Sequence, residues 1–64
     1  SGRFSKADRK KFLVISRSSI FECVAILDVL KGEKLLKTEK FEDFYRKAEE
    51  LSKILFTMIK NLQS

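Results

Sequence analysis

The chain has 64 residues, 44% of them apolar, with a single cysteine and no histidine. A chain this short usually buries too little surface to be stable alone, so a partner is expected. One cysteine excludes an internal disulfide, and without histidine there is no mixed Cys/His set for zinc, so we predict a reducing cytoplasm and no cofactor. No stretch approaches the roughly 18 to 20 apolar residues of a membrane span.

Positive charge is concentrated at the start of the chain. Residues 1–17 carry one acid, Asp8, and six bases, which we predict as nucleic-acid contacts: Arg3, Lys6, Arg9, Lys10, Lys11 and Arg17. From residue 18 onward eight bases balance eight acids, so the whole net charge of +5 lies at one end of the sequence. Such asymmetry favours a polyanionic partner.

The first predicted element is a helix over about residues 6–31. Apolar residues recur at spacings of three and four, which favours helix over strand. Ser5 is placed as its N-cap, and Asp8 three residues later completes a capping box. We expect Gly32 to end the helix by adopting the left-handed conformation that other residues resist.

A short turn over residues 32–38 leads into a second helix over about 39–62. We expect Leu35 and Leu36 in the turn to cover the end of the core, and Thr38 to be the second N-cap. A connection this short returns the chain antiparallel to the first helix. The acids of the outer face each precede a base by four residues and predict ion pairs. These pairs are Glu42 with Arg46, Asp43 with Lys47, and Glu49 with Lys53.

The first helix is apolar around most of its circumference. Between Ile20 and Leu30 only Glu22 and Asp28 are polar. One antiparallel neighbour covers about a third of a helix, so further helices are needed. The predicted fold is therefore all-α: an antiparallel helical hairpin that completes a four-helix bundle by oligomerisation or as part of a longer parent chain. The predicted oligomer interface consists of Phe12, Ile20, Phe21, Val24, Leu27, Phe44, Leu51, Leu55 and Met58.

Other side chains with chemical potential have simpler interpretations. Cys23 lies on the apolar seam and is expected to be a buried small residue. The serines at 16, 18 and 19 have no histidine base beside them and suit close helix packing better than catalysis, so we predict no enzyme activity. The phenylalanines are interpreted as core or interface residues, with base stacking as the alternative. For Arg17, pairing with Glu22 across a subunit boundary and phosphate contact are both open.

The stretch GRFSKADRKKFLVISRSSIFE resembles the start of the third helix in four-helix-bundle proteins encoded in intervening sequences of bacterial 23S rRNA genes. That family includes the accessory variability determinant of diversity-generating retroelements. The matching positions are Gly2, Arg3, Ser5, Asp8, Phe12, Leu13, Arg17, Ser19, Ile20 and Glu22. The similarity continues through Gly32, the leucine pair of the turn and Thr38, and it corresponds to the C-terminal half of a usual member.

The resemblance implies a helical bundle that assembles into closed rings and has no catalytic activity. It also implies a basic surface for nucleic acid and, in the retroelement branch, a reverse transcriptase partner. Ser16 and Ser18 stand where alanine and glycine are common, which affects how closely helices can approach.

The N-terminal basic cluster is best explained by a ligand. Cations at the positive end of a helix dipole are mildly unfavourable, so a role in capping alone would favour acids instead. Repeated around an assembly, the cluster would attract phosphates without reading base sequence. The alternative is a purely structural module that binds itself or an acidic protein partner. A membrane surface is disfavoured because the bases do not flank an apolar face along its length.

Overall fold

Two long helices account for nearly all of the chain that the structure describes. The structure is a computed structural model and describes residues 5–63. Helix α1 spans Lys6–Gly32 and helix α2 spans Thr38–Gln63, and residues 5–63 contain no strand. The all-helical prediction is confirmed, and the predicted ranges 6–31 and 39–62 differ from the observed ones by one residue at three ends. Neither helix is long and apolar enough to cross a membrane.

The start of α1 is fixed by a reciprocal pair of side-chain hydrogen bonds. The backbone N–H of Asp8 donates to Oγ of Ser5 at 3.1 Å, and the backbone N–H of Ser5 donates to Oδ2 of Asp8 at 3.3 Å. Two N–H groups that have no partner within the helix are satisfied in this way. The predicted capping box is confirmed.

The end of α1 differs from the prediction at one residue. Gly32 belongs to the helix, and the left-handed residue is Lys34, with φ of 62°. The N–H of Leu35 donates to the carbonyl of Leu30 at 2.8 Å, and the N–H of Lys34 donates to the carbonyl of Lys31 at 3.0 Å. This is the Schellman pattern, which needs its left-handed residue two positions after Gly32. The prediction for Gly32 was wrong because the helix continues through Gly32, and the left-handed position therefore falls on Lys34.

Two predictions about the turn and the start of α2 were also wrong. Leu36 is half-buried, whereas Leu35 is exposed and does not cover the core. Thr38 is the first residue of α2 and not the residue before it, and the N–H of Phe41 donates to the carbonyl of Lys37 at 3.0 Å. The role of Thr38 as N-cap was therefore predicted wrongly.

The contact between the two helices is thin. Among residues 5–62, Leu13 and Leu55, each 9% exposed, are the buried apolar residues, and Ser52 is the buried polar one at 6%. Much of α1 faces away from α2, so that Phe12 is 69% exposed and Val29 is 62% exposed. A helix that is apolar on most sides cannot be covered by one neighbour. The hairpin therefore leaves apolar surface open on both helices.

Candidate nucleic-acid interface and assembly surface

The fold gathers more positive charge at one end of the hairpin than the sequence suggests. Lys6, Arg9, Lys10 and Lys11 occupy the first two turns of α1, where Lys10 is half-buried and the others are exposed. The predicted contact Arg3 lies outside the described residues. We call the half of the hairpin formed by residues 5–17 and 51–63 the basic end. It is the end opposite the turn.

The antiparallel return of α2 adds two cations to the basic end. Lys53 and Lys60 lie in the last part of α2, which carries no acid after Glu50. The basic end therefore has seven bases against one acid, a net charge of +6, while residues 18–50 have six bases against eight acids. Sequence reasoning missed Lys53 and Lys60 because they lie far along the chain from the N-terminal cluster, although the acid-free C-terminal stretch was a visible signal.

Arg17 is held between the two helices. Its Nε donates to Oγ of Ser52 at 3.0 Å, and its guanidinium carbon lies 5.3 Å from the ring centre of Phe21 and 5.0 Å from that of Phe56. Within the hairpin its partners are therefore a hydroxyl and two aromatic rings, and not Glu22. No local signal predicted this contact, because Ser52 resembles any other small residue on the seam of the second helix.

Ion pairs within the described chain are few, which leaves most cations at the basic end without an acid partner. Asp43 contacts Nζ of Lys47 at 3.1 Å and a guanidinium nitrogen of Arg46 at 3.9 Å. The hydrogen bond and charge of Lys47 hold the pKa of Asp43 below its ordinary value. Among residues 5–63, the predicted pairs of Glu42 with Arg46 and of Glu49 with Lys53 do not form.

The predicted interface residues separate into three groups. Ile20, Val24, Leu27 and Leu55 are buried or half-buried in the hairpin. The second group is exposed on one side of both helices and consists of Phe12, Phe44, Leu51 and Met58. Together with Cys23, which was not among the predicted interface residues but is exposed on the same side, it forms what we call the apolar face. Phe21 forms the third group, because it lies on the other side against Arg17.

Two open grooves follow the apolar face. One of about 290 Å³ lies between Cys23, Phe44 and Leu51, and one of about 540 Å³ lies between Phe12 and Met58 at the basic end. Cys23 is exposed in the hairpin, which corrects the prediction that it is buried. It was misjudged because the second helix was expected to cover the seam of the first, whereas α2 contacts a neighbouring strip.

Two of the serines of α1, Ser16 and Ser19, satisfy their hydroxyls locally. Oγ of Ser16 donates to the carbonyl of Phe12 at 2.9 Å, and Oγ of Ser19 donates to the carbonyl of Ile15 at 3.0 Å. These are bonds to the preceding helical turn. No group of three His, Cys, Asp or Glu residues that could hold a metal ion occurs in residues 5–63.

Comparison with known protein families gives a match over most of the chain. A family model described as 23S rRNA-intervening sequence protein matches residues 1–57, which is nearly nine-tenths of the chain. The chain belongs to this family. The match includes the whole of α1, the turn and most of α2, and it ends before Met58 of the apolar face and Lys60 of the basic end. No curated protein and no solved structure matches the chain.

Proposed function

We propose that this protein is a non-enzymatic assembly module, whose hairpins pack through the apolar face to complete a four-helix bundle with other copies. The single observation that carries this proposal is that the chain exposes more surface than a compact monomer of the same mass. The chain exposes 5457 Å², whereas a compact monomer of its mass is expected to expose roughly 4,250 Å². The difference of about 1,200 Å² exceeds the roughly 800 Å² that each partner buries in a stable protein interface.

The apolar face is the part of this surface that best suits another copy. Phe44, Leu51 and Met58 are each about half exposed, and Met58 shares a groove with Phe12, which is 69% exposed. Aromatic and Met side chains are enriched at protein interfaces, and charged ones are depleted from interface cores. If the chain is the C-terminal half of a longer parent, the missing helices would occupy the same face.

The molecular mass in solution tests the assembly. Sedimentation equilibrium should give at least two copies for the chain as it stands. Replacing Leu51 and Phe44 with Gln should shift the mass toward one copy, because the amide groups would be buried in an interface that offers them no partner. Thr57→Gln, on the exposed polar side of α2, is the matched control and should leave the mass unchanged. A single copy for the unsubstituted chain at all concentrations would refute the assembly.

We further propose that the basic end contacts nucleic-acid phosphates without reading sequence. The observation in favour is the convergence of seven cations from both helices with only Asp8 opposing them. Neutralising several phosphates releases counterions, so binding should weaken steeply as salt rises. A reverse transcriptase partner rests on the family resemblance alone, because nothing in the described contacts points to one. The exposed thiol of Cys23 suits a reducing cytoplasm.

Retention of RNA and DNA at low salt tests the phosphate contact. Replacing Lys10 and Lys11 with Glu should weaken retention while leaving the mass in solution unchanged. Unchanged retention would remove the nucleic-acid proposal and leave assembly standing. Retention of an acidic protein but of neither nucleic acid would favour the alternative partner.

A further inference from the structure

We propose that the side of the hairpin opposite the apolar face binds single-stranded nucleic acid, whose bases stack on the rings of Phe21 and Phe56. We call this side the aromatic face and define it by Lys10, Arg17, Phe21, Phe56 and Lys60. The inference deepens the proposed phosphate contact, because it adds a contact to the bases and selects single strands over duplexes. It rests on that proposed function.

The two rings form a spaced pair that is open to solvent. Phe21 is 53% exposed and Phe56 is 51% exposed. Both ring centres lie about 5 Å from the guanidinium carbon of Arg17, so the rings are within about 10 Å of each other. Arg17 lies over each ring, and the exposed part of each side chain is open to a base. Unpaired bases stack on exposed aromatic rings regardless of sequence.

The pair is held in position before any ligand arrives. Ser52, which is 6% exposed, fixes Nε of Arg17, and Arg17 in turn lies over both rings. Side chains that are already ordered lose little entropy on binding. Phe12, on the other side of α1, has no such support and is 69% exposed.

Lysines flank the rings where phosphates would pass. Lys10 lies seven residues before Arg17, two turns along the same side of α1. On α2, Lys53 and Lys60 lie three residues before and four residues after Phe56, so they share its side of the helix. In the described chain these lysines make no ion pair. Glu49 lies one helical turn before Lys53. This acid ends the positive surface on the side that leads to the connection between the two helices.

Two alternatives fit the aromatic face less well. A duplex could meet the lysines, but its bases are stacked on one another and offer no open surface to the rings. A second copy docking here in a two-fold arrangement would bring its own Lys10, Arg17 and Lys60 against the same cations, because a two-fold interface pairs a patch with itself. Such like-charge contact is unfavourable. The apolar face has fewer charges and suits a second copy better.

Fluorescence anisotropy with two probes tests the inference. The probes are oligothymidylate of about 12 nucleotides, within the range that single-strand sites cover, and a DNA duplex of the same length, both at low salt. Phe21→Leu and Phe56→Leu keep apolar volume but remove the rings. Each should weaken oligothymidylate binding roughly tenfold, since one stacked base contributes about 1.4 kcal/mol or more. Duplex binding should not change.

Tyr45→Leu is the matched control, because Tyr45 is 49% exposed on α2 but lies on the turn side of Glu49, outside both the aromatic face and the apolar face. It should bind both probes as the unsubstituted chain does. Phe56→Trp gives a direct signal, since the chain contains no other tryptophan. Its emission should be quenched by oligothymidylate and not by the duplex. Circular dichroism of each variant shows whether helix content is retained.

The outcomes separate this inference from the proposed function. Equal oligothymidylate affinity in all variants would overturn base stacking while leaving the phosphate contact intact. A change of mass in Phe56→Leu, without a loss of affinity, would also overturn it and assign this face to assembly. Absence of binding to both probes at low salt would remove the phosphate contact and this inference together.

Discussion

Nε of Arg17 donates a 3.0 Å hydrogen bond to Oγ of Ser52, thirty-five residues further along the chain. This side-chain hydrogen bond joins the two helices. It joins the middle of α1 to the middle of α2 and thereby fixes the register in which the helices meet. The same guanidinium lies over Phe21 and Phe56, so packing and hydrogen bonding depend on one side chain.

Removing the hydroxyl of Ser52 should destabilise the hairpin. Ser52→Ala leaves a charged donor without its partner in a half-buried position, and we expect a loss of about 1 kcal/mol in the free energy of unfolding. Arg17→Ala also removes the packing against both rings, and we expect about 2 kcal/mol. Urea unfolding followed by circular dichroism measures both.

A variant that carries both Arg17→Ala and Ser52→Ala shows whether the two side chains interact or stabilise the hairpin independently. If the two side chains interact in solution, the two losses should not add when both residues are replaced. Ser18→Ala, an exposed serine of α1, is the matched control, because it carries the same gain in helix propensity. Simple addition of the two losses would show that Arg17 and Ser52 do not interact.

The left-handed residue after α1 offers a stabilising substitution. Lys34 has φ of 62°, a conformation that costs a residue with a side chain roughly 1 to 2 kcal/mol. Lys34→Gly should raise the unfolding free energy by about 0.5 to 1 kcal/mol after the greater freedom of glycine in the unfolded chain is deducted. Lys37→Gly, in the same turn without positive φ, should give no gain.

Replacing Gly32 with alanine should stabilise the hairpin, whereas the same replacement of a left-handed glycine at a helix end would destabilise it. It lies inside α1 without positive φ, and a Cβ built on it meets nothing within 4 Å. Gly32→Ala should therefore stabilise the hairpin by roughly 0.5 kcal/mol through helix propensity. Thermal unfolding at fixed protein concentration measures the change. Destabilisation would mean that Gly32 and not Lys34 adopts the left-handed conformation in solution.

The two lysines of α2 at the basic end should act together with those of α1. Replacing Lys53 and Lys60 with Gln should weaken nucleic-acid retention and reduce the slope of log affinity against log salt by about one for each phosphate that is no longer neutralised. Lys37 and Lys40 lie at the turn end, and their replacement with Gln removes the same charge as a control. Equal effects of both pairs would show that net charge alone governs binding.

The pKa of Asp43 should depend on Lys47. The hydrogen bond and charge of Lys47 lower this pKa. The pair of Asp43 with Lys47 therefore contributes to stability at pH values above the ordinary aspartate pKa, and this contribution is lost as the pH falls through the lowered pKa. Lys47→Ala should return the pKa toward its ordinary value. Carbon NMR titration of the carboxyl group measures this, and Lys53→Ala should leave it unchanged.

Local signals in the sequence were accurate where the interaction spans a few residues. The Ser5 and Asp8 pair was predictable because both partners lie within one helical turn. The end of α1 was predicted less well, since glycine marks a helix end only when the backbone needs its conformation. The exposure of Cys23 was not predictable, because it depends on which strip of α1 meets α2.

The sequence by itself determined two helices, an antiparallel return and an excess of apolar surface, because helix periodicity and capping are local properties of the chain. Only the tertiary structure decided which residues share a face. It placed Lys53 and Lys60 beside the N-terminal cations, and it separated Phe21 from Phe12 by turning one toward Arg17 and leaving the other open. The physical reason is that register and rotation between helices are set by contacts such as Arg17 with Ser52, whose partners are distant in sequence.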